Sequence, residues 1–484
     1  MADRIHCTEV DGVPVWWSEA DAKPFAALQF RVGRGDEPFR RAGTTHLVEH
    51  LAFHQLGERP WPVNGFVDHV QTVFHSAGRA DENAAFLADV AGAVSGLRLD
   101  RLPQEMRVLR VEAARRPPSA INALFTYRYG TESLGRAALT EHALHGATGD
   151  EVAAWARDWF TRGNAVAWMT NAPPAGFQLP LPGGERRAPG PRRNIEPLPL
   201  PSFGEAQLGG VALGGPIRRT SAGAAGTRIL RARMERRLRR DLGLSYEISE
   251  AYLPVDAEEA HVSLYASCQD DKAARVASEM IGLAEALAAD GPTPEEMTED
   301  LDAFRRAHED DPNVVLGELA RAASNDLLGY PQDTTEELFA ELERVAPADV
   351  AAAMTEFGRD LLGLGIAVPN IPAGWHHYPM WSVAAIGGRR LDSVAKRFPW
   401  TKGTPEIAIS GEGVSLVRPD GRAVTVRFAE CAGVIRTTPD VRVLFGNDGF
   451  RLRIDAAEWK DGGSAIRLID REIPPATQVA WIDS

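Results

Sequence analysis

The run of prolines over residues 172–203 constrains this chain of 484 residues more than any other feature. From Pro173 to Pro201 the prolines recur too closely for a helix or a central strand, because each fixes φ and removes a backbone donor. Gly183-Gly184 and Arg192-Arg193 fill the gaps, and large apolar residues are too few for a core. The stretch reads as an interdomain linker, so each side of it must build a core of its own.

The two sides share a pattern. Asp150-Glu151-Val152-Ala153-Ala154 is followed by Pro174-Ala175-Gly176, and Asp349-Val350-Ala351-Ala352 by Pro372-Ala373-Gly374. Val152 to Val350 and Pro174 to Pro372 are both separated by 198 positions. One fixed offset across a helix, a strand and a Pro-Ala-Gly exit favours two similar lobes. The expected organisation is a first lobe over 1–171, the linker over 172–203, a second lobe over 204–375 and a different module over 376–484.

Within the first lobe, Gly12–Trp17 and Ala26–Val32 read as strands, and helices are expected near 43–56, 83–97, 103–115 and 149–161. Beyond 376 the segments are short and alternating, as in Glu406–Ser410, Ala423–Phe428 and Val441–Phe445, with Pro-Asp-Gly and Asn-Asp-Gly turns between them. The strand count and the closing Trp459–Asp470 segment resemble a pleckstrin-homology-like barrel capped by a helix. Such likeness names no ligand. The expected class is α+β: two homologous α/β lobes, each a mixed sheet with helices packed on it, forming a clamshell, plus this β-rich module.

A net charge of −14 argues against non-specific binding to nucleic acid or to an anionic membrane. The arginine-rich run Arg228–Arg240 reads as a solvated helix face. No stretch reaches about 18 uninterrupted apolar residues, so no membrane insertion is expected. The N-terminus lacks a basic and then apolar leader, and Cys7, Cys268 and Cys431 make no disulfide framework. A cytoplasmic protein is the expectation.

The chemistry concentrates at Gly43-Thr44-Thr45-His46-Leu47-Val48-Glu49-His50. Either threonine can cap a helix that starts near His46. On that helix His46, Glu49, His50 and Phe53 share one face. Two imidazoles one turn apart can chelate zinc, and a carboxylate between them can reach a zinc-bound water. The order HxxEH is the inverted zinc-peptidase motif. A third ligand is needed, and the helix from Pro103 offers Glu105 and Glu112, seven apart on one face. One can bind metal while the other orients a ligand imidazole. His54 reads as surface or packing.

These pieces together resemble the pitrilysin/insulinase family of zinc metallopeptidases over roughly residues 8–375. Gly33-Arg34-Gly35-Asp36-Glu37-Pro38 before the HxxEH helix, Glu105 and Glu112, and Arg239…Gly243-Leu244-Ser245-Tyr246 carry the resemblance. It implies one Zn²⁺ per chain held by His46, His50 and Glu112, with Glu49 as general base and Glu105 orienting a ligand. It implies that Arg239 and Tyr246 hold the substrate and meet the oxyanion. Asn64-Gly65-Phe66, with Thr72–Phe74, resembles the family's edge hairpin, where an extended peptide adds as a strand; an ordinary hairpin is the alternative. The interval from His50 to Glu105 is shorter than is usual in that family, which bears on the shape of the cleft.

The expected function is therefore a metalloendopeptidase acting on peptides or unfolded segments held between two lobes, paired as a homodimer or with a related subunit. A dedicated maturation protease for one small peptide differs only in substrate. The alternative of another class is a noncatalytic peptide-binding or partner subunit of the same fold.

Overall fold

Alternating apolar residues fold the N-terminal part of the chain into a six-stranded sheet in the computed structural model, which describes residues 5–19, 22–310, 313–366, 370–395 and 403–481. Its strands are β1 (Ile5–Val10), β2 (Val13–Ser18), β3 (Ala26–Phe30), β4 (Val63–Val67), β5 (Thr72–Ser76) and β6 (Ala165–Met169). Their order is β1-β2-β6-β3-β5-β4, so β4 is an edge. The helices of this half are α1 (Thr44–Leu56), α2 (Ala80–Ser95), α3 (Leu102–Arg115), α4 (Ala120–Tyr129) and α5 (Gly149–Trp159). α2, α3 and α5 pack around α1, which presses Leu47, Val48 and Leu51 into the first core.

The second sheet holds β7 (Ser202–Glu205), β8 (Gly210–Arg218), β9 (Ile248–Pro254), β10 (Glu259–Ser267), β11 (Leu362–Gly365) and β12 (His376–His377), in the order β12-β7-β11-β8-β10-β9. Its helices are α6 (Ser221–Met234), α7 (Ala273–Asp290), α8 (Pro294–Asp310), α9 (Val314–Leu328), α10 (Thr335–Arg344) and α11 (Pro347–Arg359). Strand senses repeat as well as order. β2 is parallel to β6 and β7 to β11, while β3 and β8 return antiparallel beside them. The halves differ at one edge, where β1 is antiparallel to β2 but β12 is parallel to β7. The architecture is thus α+β with two similar lobes.

Each half lends a helix to the other. α9, from the second half, lays Val315, Leu319, Ala323 and Leu327 along the first sheet against Ala27, Val166 and Trp168. α4, from the first half, lies on β8, β10 and β11, with Leu124 against Ala212, Leu362 and Leu364. Both faces of the central strands are therefore covered, which is why β3 and β6 are buried at every residue.

No helix or strand interrupts residues 172–201, as the prolines require. The stretch is not without core contacts, however. Leu179 and Leu181, on either side of a tight turn closed by the Leu181 N–H donating to the Leu179 carbonyl at 2.7 Å, are buried in the first core, and Ile195 is buried beside the second sheet.

The C-terminal part closes two four-stranded sheets on each other. One is β13 (Arg389–Asp392), β14 (Glu406–Ser410), β15 (Gly413–Val417) and β16 (Ala423–Arg427). The other holds β17 (Cys431–Thr438), β18 (Val441–Gly446), β19 (Arg451–Asp455) and β20 (Gln478–Ala480). α12 (Gly462–Glu472) plugs the end with Ala465, Ile466 and Ile469. Phe39 of the first lobe packs on Phe445 of this module, with ring centroids 5.0 Å apart. Among the described residues no helix is long and apolar enough to cross a membrane.

Candidate metal centre

The helix that carries the HxxEH motif is capped from upstream. Gly43 holds φ +96°, a conformation that favours glycine, and Thr44 and Thr45 lie inside the first turn. The cap is Glu37, whose carboxylate accepts the Gly43 and Thr45 N–H groups at 2.7 and 2.6 Å. This corrects the expected threonine cap. A carboxylate at a helix N-terminus satisfies orphan donors and the helix dipole together. Thr45 Oγ1 instead accepts from the Trp155 indole at 3.0 Å, which ties α1 to α5.

From that start His46, Glu49, His50 and Phe53 emerge on one face. The imidazoles of His46 and His50 stand edge to face with centroids 4.9 Å apart. α3 then brings Glu112 across the gap. One of its oxygens is 3.7 Å from His46 Nε2 and the other 3.7 Å from His50 Nε2. Glu49 Oε2 is 3.8 Å from both Nε2 atoms. Donors bound to one tetrahedral zinc at about 2.0–2.1 Å stand roughly 3.3 Å from each other. Both Nε2 atoms thus lie 3.7–3.8 Å from oxygens of Glu49 and of Glu112, a little wider than ligand spacing, and Glu112 offers a different oxygen to each. His46, Glu49 and His50 form the group of three whose ligand atoms all lie within 4.8 Å of one another.

The far side of each imidazole is anchored. His50 Nδ1 is 3.3 Å from Glu105, and His46 Nδ1 is 3.1 Å from Glu141. With each Nδ1 donating to a carboxylate, each Nε2 turns a lone pair toward the gap, the tautomer a metal ligand requires. Burial alone would raise the Glu141 carboxyl. The hydrogen bond from His46, with Arg116 at 3.2 Å and Arg34 at 3.7 Å, holds it down at about 2. It therefore stays an acceptor.

Sequence reasoning missed Glu141. It precedes a short 3₁₀ turn, His142–His145, and no helical or strand period extends to it. The geometric cue lies at Gly43, where a Cβ would come within 2.6 Å of the Glu141 Cβ. Gly43 thus serves both the helix start and the approach of Glu141.

Glu49 is buried against the edge hairpin. A Cβ placed on Gly65 of β4 would lie 2.8 Å from Glu49 Oε1 and 2.7 Å from Phe53 Cε2. Glu49 therefore spans the space between the imidazoles and the edge strand. Burial pushes its carboxyl up, against the pull of His50 and His46. Among the described residues β4 pairs only with β5, so its outer N–H and C=O groups face away from the sheet, and Asn64 and Phe66 are exposed. Phe53 is half-buried and packs its ring against Phe74 and Phe86.

Arg239 and Tyr246 belong to the second half. Arg239 sits on a π-helical turn, Glu235–Asp241, that continues α6. Its guanidinium lies 3.5 Å from Glu235 and 5.5 Å from the Tyr246 ring, and Tyr246 is 84% exposed. Among the described residues neither has a hydrogen bond or ion pair with the histidine–glutamate cluster. Other arginines of this run are neutralised, Arg228 by Asp300, Arg233 by Glu296 and Arg237 by Glu279.

The sequence matches no family model and no curated protein. Solved structures do match. A peptidase M16 inactive domain from Pseudomonas fluorescens superposes with a TM-score of 0.60 at 15% identity, over 76% of this chain and 100% of that one. A protease from Helicobacter pylori does so with a TM-score of 0.62 at 14% identity, over 75% of this chain and 99% of that one. A mutant of the ferredoxin protease FusC, in complex with Arabidopsis ferredoxin, matches with a TM-score of 0.54 at 14% identity, over 87% of this chain and 56% of that one. The fold is the two-lobed M16 fold. Identities of 14–15% carry the fold and no more, and the matched proteins include both proteases and an inactive domain.

Proposed function

We propose that this chain is a zinc-dependent endopeptidase acting on peptides or unfolded segments. One observation carries the reading: two imidazoles turn their Nε2 atoms toward a shared gap with Glu49 and Glu112, while Glu105 and Glu141 hold them from behind. His46, His50 and Glu112 would hold the zinc. Zinc, when bound, supplies Lewis acidity toward a carbonyl and a water.

The remaining work falls to the chain. Glu49, buried and with its carboxyl raised, suits a general base that takes a proton from the attacking water and passes it to the leaving amine. Its place beside Gly65 puts it next to the open edge of β4. A peptide added to β4 would bond through its backbone, with Asn64 and Phe66 as the side chains it meets. Arg239 and Tyr246 are the donors proposed for the developing oxyanion. Two lobes offer one wall of a chamber, so a second copy or a related subunit is the proposed partner, and the cytoplasm the proposed location.

The second reading is a peptide-binding partner subunit without turnover. The likeness to an inactive domain favours it, as does the bonding of Arg239 to Glu235 and Tyr246 rather than to the cluster. Metal analysis and cleavage of a broad peptide library separate the two. The peptidase binds one zinc and cuts, and His46→Ala loses both. Stoichiometric zinc without cleavage favours the partner subunit.

A further inference from the structure

A cavity of about 250 Å³ lies at the seam between the first lobe and the C-terminal module. Its walls come from the turn ending in Arg40 and Arg41, the turn His142–His145, and the neighbouring ends of β17 and β20. Three arginines line it, Arg40, Arg41 and the exposed Arg436, against one acidic residue, Glu151. In a chain of net charge −14 this is a local reversal of sign.

The cations are not equally engaged. Arg40 lies 3.0 Å from Glu151 and donates to the Gln478 carbonyl at 3.3 Å. Arg41 lies over the Trp155 ring, 5.7 Å from its centroid. Among the described residues neither Arg41 nor Arg436 makes a side-chain hydrogen bond or ion pair. His142 forms part of the wall. It is 1% exposed, and among the described residues neither of its ring nitrogens has a hydrogen-bond partner. Ala143, Ala147 and Val479 make the lining apolar on another side.

We propose that this seam binds a phosphate monoester of a small molecule. Three guanidiniums less one carboxylate leave a surplus of two positive charges, which matches a phosphate dianion. Guanidinium forks bind its oxygens bidentately, and two of these forks are uncommitted. The cavity is larger than a bare phosphate fills, and the apolar lining suits an organic remainder. Its lining shares no residue with the histidine–glutamate cluster, so the proposal does not depend on the chain being a peptidase.

The test is isothermal titration of the full, metal-free chain with phenyl phosphate, inorganic phosphate and benzoate at one ionic strength. The expected result is one saturable site per chain that takes phenyl phosphate most tightly, inorganic phosphate several-fold more weakly and benzoate at least tenfold more weakly. An Arg41→Gln/Arg436→Gln double variant should lose at least tenfold in phenyl phosphate affinity with its circular dichroism unchanged. Glu49→Gln should bind as the wild type does. No saturable binding, an unchanged double variant, or benzoate or inorganic phosphate binding as well as phenyl phosphate would each overturn the assignment.

Discussion

Glu141 Oε1 and His46 Nδ1 stand 3.1 Å apart, joining residues 95 positions apart in the chain. The contact fixes which nitrogen of His46 faces the candidate metal gap. Arg116 and Arg34 reinforce it at the same oxygen, at 3.2 and 3.7 Å. Replacing Glu141 by Gln keeps the shape and removes the charge. Partners of this kind contribute about 10–100-fold in metal affinity. Glu141→Gln is therefore expected to weaken zinc binding by that range, read by competition with a chromophoric chelator, with its circular dichroism unchanged. Unaltered zinc affinity would remove Glu141 from the site.

Gly65 tests the approach of the edge strand to Glu49. A methyl group there would meet Phe53 and Glu49 at 2.7 and 2.8 Å and the Val73 carbonyl at 3.0 Å. Overpacking of this kind costs about 1–3 kcal/mol, and here the carboxylate is among the groups that must give way. Gly65→Ala is expected to retain zinc and to lose cleavage at least tenfold. A variant that cuts as the wild type does would show that Glu49 need not sit against β4.

Much of this arrangement is legible in the sequence, and the part that is not has a common cause. The helical period alone sets His46, Glu49 and His50 on one face, and the same period pairs Glu105 with Glu112. The repeat across Val152 and Val350 foreshadows two similar sheets, and alternation marks β14, β16 and β18 nearly to the residue, though not β17. What escapes is any contact made by irregular chain or between elements far apart. Glu141 precedes a 3₁₀ turn, and Glu37 caps α1 from a loop where two threonines were the nearer candidates. The apolar stripes of α4 and α9 say that each helix covers something. They do not say that each covers the other half's sheet.

That exchange has a stability consequence. Leu319 of α9 is fully buried against the first sheet although its own sheet is the second. Leu319→Ala is expected to cost about 2–5 kcal/mol, the usual range for a buried leucine. Because α9 bridges the halves, both should lose stability together. Denaturant unfolding followed by tryptophan fluorescence and by far-UV circular dichroism should shift to lower midpoints by the same amount. A shift in one probe alone would contradict a shared unfolding unit.

His142 makes the seam sensitive to acid. Burial, with His145 nearby, lowers its imidazole from 6.5 to about 3. The unfolded chain therefore takes up this proton first. The contribution is fully present above pH 6.5 and is lost as pH falls toward 3. At pH 5 the loss is ~2 kcal/mol, at about 1.4 kcal/mol per pH unit. The ring sits among Phe39, Phe445 and Trp481, so His142→Phe suits the site by shape. The variant should lose ~2 kcal/mol less than the wild type between pH 7.5 and 5 in urea unfolding. Equal losses would show that His142 does not carry the effect.

The central claim is that Glu49 acts as the base beside a zinc held by His46, His50 and Glu112. It is tested most directly by measuring zinc content and peptide cleavage together in the wild type and in Glu49→Gln. The account predicts one zinc per chain in both proteins, with cleavage at least a thousandfold slower in the variant, toward the upper end of the ~10²–10⁴-fold that general acid–base groups contribute. Cleavage by Glu49→Gln at the wild-type rate, with zinc bound, would contradict it.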